Sequence, residues 1–247
     1  NRGVGGATVL GFGRALEDGA EIVVKVDGDG QMPLAHLPAL LDALVEEGFG
    51  YAKGNRFLHG ASLHNMPRLR LLGNVLLTFL NKAASGYWHI FDPQNGFIAI
   101  EAKWLRALDL GALHRRFFFE NDMLIALNMM NVRVKDVPMP AIYGNETTHI
   151  RVRAILRTFP GLFFTRFWRR IYHKYVLYDF SPIALFLFLG TALTLWGGGF
   201  GAYLWVVSVL TQVTTTTGTV MLAVLPFIIG FQLLLQAIVL DIQESPR

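Results

Sequence analysis

Hydrophobic and polar positions alternate in short blocks over the first 140 residues, and the blocks predict helices and strands in turn. The glycine-rich segment from Asn1 to Ala7 runs into a helical pattern that ends at Ala15, and an apolar, β-branched run follows at 22–26. An amphipathic pattern from about Leu34 to Glu47 predicts a second helix. Because the run at 22–26 is too short for a helix, we expect a buried strand of the parallel type that ends at Asp27. This order is typical of an α/β fold.

The pattern changes after residue 180. From Phe180 to Leu240 the chain contains no Asp, Glu, Lys or Arg. Such a stretch suffices for two membrane-spanning helices of about 20 residues each. We place them near Pro182 to Ala202 and Thr219 to Leu240, with Tyr203 and Trp205 at a membrane interface. A buried hairpin in a soluble core is the alternative, but such cores seldom run so long without a charge.

Composition agrees with a membrane protein. The hydrophobic fraction of 53% and the mean hydropathy of +0.40 exceed those of ordinary soluble domains, and the excess lies in the uncharged stretch. The chain has no cysteine, which excludes disulfides and zinc-thiolate sites.

The net charge of +4 also has a local origin, in the segment just before the uncharged stretch. Cations without any acidic residue alternate there with aromatic side chains, which predicts interfacial helices on anionic lipid. The positive-inside rule keeps this segment cytoplasmic, and two spans return the C-terminus to the same side. A nucleic-acid patch is the alternative, but a position next to a membrane span argues against it. The residues are Arg151, Arg153, Arg157, Arg166, Arg169, Arg170 and Lys174, with Phe159, Phe163, Phe164, Phe167, Trp168 and Tyr172.

Candidate chemistry begins where the first predicted strand ends, at Asp27 and Asp29. Ligands of open α/β sheets bind at this edge. Two carboxylates so close repel each other unless a cation lies between them, and their hard oxygens suit Mg²⁺ or Mn²⁺. An isolated Asp-Gly-Asp is often a plain turn. An EF-hand loop is excluded because Met32 and Pro38 replace its Gly and Glu.

The order of these segments resembles family 2 glycosyltransferases of the GT-A fold. The shared features are Asn1-Arg2-Gly3 with Ala7 before a helix, a strand leading to Asp27-Gly28-Asp29-Gly30-Gln31, Pro33 before a helix, and a further strand that ends in Lys53-Gly54-Asn55-Arg56. Within that family the chain is most similar to the membrane-anchored branch that charges polyprenyl phosphates, of the dolichol-phosphate mannose synthase type.

The resemblance implies a Rossmann-like α/β domain whose first strand-helix-strand, with most of the nucleotide-base site, would precede Asn1. We therefore expect an N-terminally truncated GT-A domain at 1–150, basic amphipathic juxtamembrane helices at 151–180 and two transmembrane helices at 181–247.

The resemblance also implies roles for individual residues. Gln31 would join Asp27 and Asp29 as a metal ligand, and Arg56 would contact phosphate. Arg68 and Arg70 would meet the acceptor's phosphate, since arginine binds phosphate through a forked pair of donors.

Two later segments complete the set of candidates. Asp92, in Asp92-Pro93-Gln94-Asn95-Gly96-Phe97, would line the donor and acceptor pocket, or it would only form an Asx turn. Glu120 or Asp122 would supply a catalytic base, or only complement a helix dipole. With Asp29, these residues are the catalytic candidates. The family's loop R-x-x-G-x-S-K is replaced at 143–149, which leaves donor and acceptor class open.

We thus expect an inverting, Mg²⁺- or Mn²⁺-dependent enzyme that moves a sugar from a nucleotide-sugar donor to a polyprenyl phosphate, either undecaprenyl or dolichyl. It would be multi-pass in the inner membrane, with its catalytic domain in the cytoplasm. Expected partners are the donor, the membrane acceptor and the bilayer, with no nucleic acid; a homo-oligomer stays open. A transferase acting on a hydroxyl acceptor in polysaccharide or glycolipid synthesis, and a non-catalytic membrane protein, are the alternatives.

Overall fold

The computed structural model describes residues 2–56, 68–140, 152–178 and 180–246. It divides into a first compact unit, which runs to Arg170 and includes the last residues from Ser245, and a second from Ile171 to Glu244. The first unit contains, in chain order, α1 (Gly3–Glu17), β1 (Ile22–Lys25), α2 (Leu37–Val45), β2 (Tyr51–Asn55), α3 (Arg68–Ser85), β3 (Ile98–Glu101), α4 (Ala102–Ala107), α5 (Phe119–Met129), β4 (Val134–Pro138) and most of α6 (Val152–Tyr172). A short 3-10 turn, Leu34–His36, precedes α2.

The four strands form one mixed sheet in the order β1-β3-β2-β4. β4 runs parallel to β2, whereas β3 lies antiparallel between β1 and β2. The α/β class is confirmed, but the expectation of a buried parallel-type β1 is wrong. Among the described strands β1 pairs only with the antiparallel β3, and of its four residues only Val23 is buried. The reason is that the chain turns back at 92–97 and inserts β3 beside β1.

Two apolar clusters cover the two faces of the sheet. Alternate strand residues point to opposite faces, so each face collects its own set of apolar side chains. The larger cluster joins Val23, Tyr51, Ile100 and Val134 to residues of α1, α4 and α5. The smaller cluster packs α2 against the other face. Burial of each large side chain contributes about 1.5–3 kcal/mol, which fixes α5 and α2 on the sheet.

The structure of α6 contradicts part of the expectation that residues 151–180 lie on the lipid surface. Phe159 and Phe163, predicted to lie on lipid, are 6% and 3% exposed and pack edge-on against Phe118, with ring centroids 5.1 and 4.9 Å away. The buried Arg170 donates hydrogen bonds to the carbonyl oxygens of Ala83 and Ala84, each at 3.0 Å, at the end of α3. These side chains therefore pack α6 against α3 and the start of α5 within the first unit, and they do not face a bilayer.

The second unit contains a π-helical segment (His173–Tyr178) and two long helices, α7 (Pro182–Thr211) and α8 (Thr217–Gln243). Both long helices are apolar and long enough to cross a membrane, which supports a membrane protein. α7 continues about nine residues beyond its predicted end, so Tyr203 and Trp205 lie inside it instead of after it. At Gly197 an added Cβ would lie 2.5 Å from the backbone nitrogen of Phe227 on α8. Glycine at this position therefore lets the backbones of α7 and α8 approach closely.

Candidate functional site

Three strands present their carboxyl ends at one edge of the sheet. Since β3 is antiparallel to β1 and β2, and β4 is parallel to β2, the strands β1, β2 and β4 share one direction. Asp27 follows β1 by two residues, Arg56 follows β2 directly, and the turn at 92–97 enters β3 at the same edge. The predicted segments therefore meet where ligands bind in such sheets.

A polar row crosses the sheet at this edge. Lys25 of β1 and Lys53 of β2 both pair with Ile98 of β3, and Lys53 pairs with Asp136 of β4. Side chains of paired residues point to the same face, so this row closes the end of the larger apolar cluster. The candidate site is built on it.

Lys25 contacts the neighbouring Asp27 and two segments that are distant along the chain. Its Nζ lies 2.7 Å from Oδ1 of Asp27, 3.3 Å from the carbonyl oxygen of Gly96 and 3.4 Å from Oε1 of Glu120. Its side chain is only 9% exposed. A Cβ on Gly96 would lie 2.3 Å from Oδ2 of Asp27, so glycine is required for this approach. We call Lys25, Asp27, Gly96 and Glu120 the Lys25 cluster.

Glu120 is the residue of α5 that belongs to this cluster. Its side chain is 10% exposed. Burial raises the pKa of Glu120, and the positive charge of Lys25 opposes this change only in part. A carboxylate with a raised pKa is a stronger base than an ordinary carboxylate.

Asp122 is engaged elsewhere. Its Oδ1 lies 2.7 Å from Nε of Arg166, and its Oδ2 accepts hydrogen bonds from Nη2 of Arg166 at 3.0 Å and from the backbone N–H of His114 at 2.9 Å. Its side chain is 4% exposed. Of the two predicted base candidates, the structure therefore places Glu120 in the Lys25 cluster and gives Asp122 an ion pair with α6.

Arg56 and Asp92 form a two-pronged ion pair. Nε of Arg56 lies 2.7 Å from Oδ2 of Asp92, Nη2 lies 2.8 Å from Oδ1, and the backbone N–H of Arg56 also donates to Oδ2 at 3.2 Å. Burial raises the pKa of Asp92, but the hydrogen bonds from Arg56 and the charges of Lys53 and Arg56 outweigh it, so the pKa lies below its usual value. Asp92 is thus an ionised partner that orients a half-exposed guanidinium.

A buried hydrogen-bond network around Lys53 and Asp136 lies next to the ion pair of Arg56 and Asp92. Lys53 is fully buried and donates to the carbonyl oxygens of Gly54 and Asp92 and to Oδ1 of Asp136, the last at 3.4 Å. Oδ2 of Asp136 accepts from Nδ2 of Asn55 at 2.6 Å and from the backbone N–H of Phe91 at 2.8 Å. Asp136 therefore ties β2 and the turn before β3 to β4.

Asp27 and Asp29 lie in the same short loop, where Oδ1 of Asp29 accepts a hydrogen bond from the backbone N–H of Gln31 at 3.0 Å. Across the described parts of the chain, no three His, Asp or Glu side chains are grouped so that they could hold a metal ion. Mg²⁺ commonly takes one or two carboxylates and completes its shell with water and substrate phosphate oxygens. The residues present fit an ion of that kind, and not one held by protein ligands alone.

Other candidates are placed only in part. Arg68 and Arg70 belong to the first turn of α3, but the structure does not describe their side chains. The segment 143–149, where the family's loop departs, lies outside the described residues. A cavity of about 430 Å³ lies elsewhere in the first unit; the described residues that line it are Gly3, Val4, Arg116 and Phe117, none of which is a predicted site residue.

Sequence reasoning missed Lys25, Lys53, Asn55 and Asp136. A signal was present, because Lys25, Lys53 and Asp136 each stand two positions after an apolar residue in a short strand. Strand periodicity puts such pairs on one face. The register between the strands, which the sequence does not show, was needed to align them.

Comparison with known proteins points to glycosyl transfer. The chain is 30% identical over 143 residues to a UDP-N-acetylglucosamine–dolichyl-phosphate N-acetylglucosaminyltransferase of Methanococcus voltae, which covers 58% of this chain and 57% of that enzyme. Two of the relatives found are polyprenyl-phosphate glycosyltransferases by name. The second is an undecaprenyl-phosphate mannosyltransferase of Micrococcus luteus, 30% identical over 138 residues, with 56% of each protein aligned. An uncharacterized protein of Methanocaldococcus jannaschii is 28% identical over 163 residues, 66% of each protein.

No protein-family model matches the chain. The alignments span a little over half the length of the two named relatives. Together with the mixed α/β unit and the two apolar helices, the relatives support a glycosyltransferase associated with a membrane.

Proposed function

We propose that this chain carries the catalytic site of a membrane-bound, inverting glycosyltransferase of family 2 and the GT-A fold, in the polyprenyl-phosphate branch. It would move a sugar from a nucleotide-sugar donor to undecaprenyl or dolichyl phosphate on the cytoplasmic side of the inner membrane. The names of two relatives support this substrate class.

The observation that carries the proposal is the meeting of three segments at Lys25. The loop with Asp27, the turn with Gly96 and the start of α5 with Glu120 are far apart along the chain, yet each has an atom within 3.4 Å of the same ammonium group. Buried charges are costly unless they are paired, and titratable groups with perturbed pKa values concentrate at functional sites, so this cluster at the ligand-binding edge of the sheet supports the proposal.

In the proposed reaction an acceptor phosphate oxygen attacks the anomeric carbon from the face opposite the nucleotide. The new carbon–oxygen bond forms as the bond to the diphosphate breaks, and the nucleoside diphosphate leaves with the electron pair. Arg56, held by Asp92, would bind a phosphate group, and Arg68 or Arg70 would position the lipid phosphate.

Asp27 and Asp29, with Gln31, would hold Mg²⁺ or Mn²⁺, which when bound would neutralise charge that develops on the departing diphosphate. The protein's own part is to keep the two carboxylates at the end of β1 and to hold the donor beside Arg56. Preorganised charge of this kind is typically the largest contribution to catalysis.

A hydroxyl acceptor is the second candidate, and Glu120 favours it. A hydroxyl group must lose a proton as it attacks, whereas a lipid phosphate is already anionic. Glu120 faces the Lys25 cluster and has a raised pKa, as a general base requires. With a phosphate acceptor, Glu120 would serve chiefly as the partner of Lys25.

The test uses the full-length protein in membranes. Labelled UDP- and GDP-sugars are offered one at a time with Mn²⁺ and either undecaprenyl or dolichyl phosphate, and label extractable into organic solvent is counted. Metal-dependent lipid label supports the proposal and identifies the sugar. Donor consumption only after hydroxyl acceptors are added would move the assignment to the second candidate.

Asp29→Asn should lower turnover by about 100-fold or more, the usual effect of removing a charge that stabilises the transition state. Asp18→Asn is the matched control, since Asp18 pairs with Arg14 on the exposed end of α1. If Asp29→Asn turns over as fast as this control, the metal assignment is wrong.

A further inference from the structure

Lys25 holds two carboxylates that would have different duties in the proposed reaction. Its Nζ is closer to Asp27, at 2.7 Å, than to Glu120, at 3.4 Å. The side chains of Lys25 and Glu120 are 9% and 10% exposed, whereas that of Asp27 is 38% exposed. The ammonium group is thus enclosed with Glu120, and Asp27 is the partner that solvent and ligands can reach.

The contact between Lys25 and Asp27 competes with any cation on Asp27. Oδ1 of Asp27 is already taken by the ammonium group, and Oδ2 lies against the backbone of Gly96. A divalent ion on this carboxylate would stand a few ångströms from the ammonium charge, and like charges so close repel each other strongly in a partly buried site. Lys25 must therefore give way when a metal ion binds.

We propose that Lys25 is an exchange cation, which neutralises Asp27 while no divalent ion is bound and moves onto Glu120 when an ion takes Asp27. This inference rests on the proposed function only in that it assumes a divalent ion at Asp27. Lys25 acts through its two neighbours, so it is a positioning residue. It keeps its proton throughout, and no covalent bond changes.

The exchange couples the two ends of the site. Glu120 would receive the full counter-charge of Lys25 only when the metal ion is in place. Because linkage is reciprocal, removing the charge of Glu120 must then weaken metal binding. Binding of the metal ion at Asp27 would in this way place the charge of Lys25 on Glu120, the residue proposed to meet the acceptor.

The test measures binding of Mn²⁺ alone to the detergent-solubilised full-length protein, through the electron paramagnetic resonance signal of free Mn²⁺. Lys25→Met removes the competitor and should tighten Mn²⁺ binding about fivefold, the effect of losing one partly exposed ion pair. Lys25→Arg keeps the charge and should bind as the wild type does. Asp27→Asn should abolish the tight site.

The decisive measurement is a double-mutant cycle between the two positions. Glu120→Gln should weaken Mn²⁺ binding while Lys25 is present, because the displaced ammonium then has no second partner. In the Lys25→Met background that weakening should disappear. If Glu120 instead attracts the metal ion directly, Glu120→Gln should weaken Mn²⁺ binding in the Lys25→Met background at least as much as in the wild type, because the ammonium group no longer shields Glu120 from the ion.

Unchanged or weaker Mn²⁺ binding by Lys25→Met overturns the exchange, as does equal weakening by Glu120→Gln in both backgrounds. If Lys25→Met does not fold, Lys25→Gln takes its place in the cycle, and wild-type Mn²⁺ affinity in Glu120→Gln alone still overturns the exchange. Absence of Mn²⁺ binding by both wild type and Lys25→Met, with UDP or GDP present as well as without, overturns the exchange together with the metal dependence. Mn²⁺ binding that Lys25→Met leaves unaltered overturns the exchange alone.

Discussion

Asp136→Asn tests the buried network that supports the site. Asp136 is the acidic partner of Lys53, whose side chain is fully buried, and it also accepts hydrogen bonds from Asn55 and from the backbone of Phe91. The substitution keeps the size of the side chain but removes its charge. Lys53 then remains buried without its ion-pair partner, although the charge of Asp92 still acts on it.

The expected loss is large because of this burial. Removal of one partner from a buried ion pair costs about 3–5 kcal/mol, whereas an exposed pair contributes at most about 1 kcal/mol. For a unit of this size, 3 kcal/mol corresponds to a fall in Tm of roughly 6–12 °C. Glu47→Gln is the matched control, since Glu47 pairs with the neighbouring Lys135 at the surface.

The assay is thermal unfolding of the purified, detergent-solubilised protein, followed through tryptophan fluorescence. Asp136→Asn should lower Tm by several times the shift of Glu47→Gln. Equal shifts in the two variants would refute the reasoning, because they would mean that Lys53 has no need of Asp136 in the folded state.

Three further predictions concern other parts of the chain. Gly197→Ala should destabilise the helical hairpin by about 1–3 kcal/mol through overpacking and so lower its Tm in detergent, whereas Gly199→Ala, with no described atom within 4 Å of its added methyl group, should not. Arg170→Met should cost about 1–3 kcal/mol and speed hydrogen exchange in the last turn of α3, because the carbonyl oxygen of Ala84 loses its donor; unchanged exchange would contradict this. Since the pKa of Asp92 is lowered in the folded state, its ionised form adds stability above the unfolded pKa of about 3.9, and this is lost as pH falls through the folded value. Urea unfolding should therefore find Asp92→Asn less stable than the wild type at pH 7, with the gap closing towards pH 3; a constant gap would argue against the shift.

The local segments of this chain were predictable because their signals are local. A β-branched run bounded by turn residues predicted β1, and an acidic first turn predicted the start of α5 near Glu120. The uncharged stretch predicted two long apolar helices. The resemblance to glycosyltransferases brought together Asp27, Arg56 and Asp92, and the relatives found by comparison support that class.

The remaining features depend on contacts between distant parts of the chain. Antiparallel pairing of β3 with β1 is decided by where the turn at 92–97 leads the chain, and no periodicity within β1 records it. Phe159 and Phe163 have the composition of a lipid-facing segment, yet they pack on Phe118. Lys25 went unnoticed because strand periodicity places it on the face of Val23 but does not show which side chains of other strands lie beside it.

The polar row across the sheet also bears on how the strands find their register during folding. β3 pairs with β1 on one side and β2 on the other, and Ile98 lies opposite Lys25 and Lys53 at once. A slip of β3 by one residue would exchange its two faces, move Ile98 and Ile100 out of the larger apolar cluster and carry the turn at 92–97 away from both lysines. Such a mispaired chain would bury two ammonium groups with fewer acceptors, so charges that serve the site also penalise misfolded states.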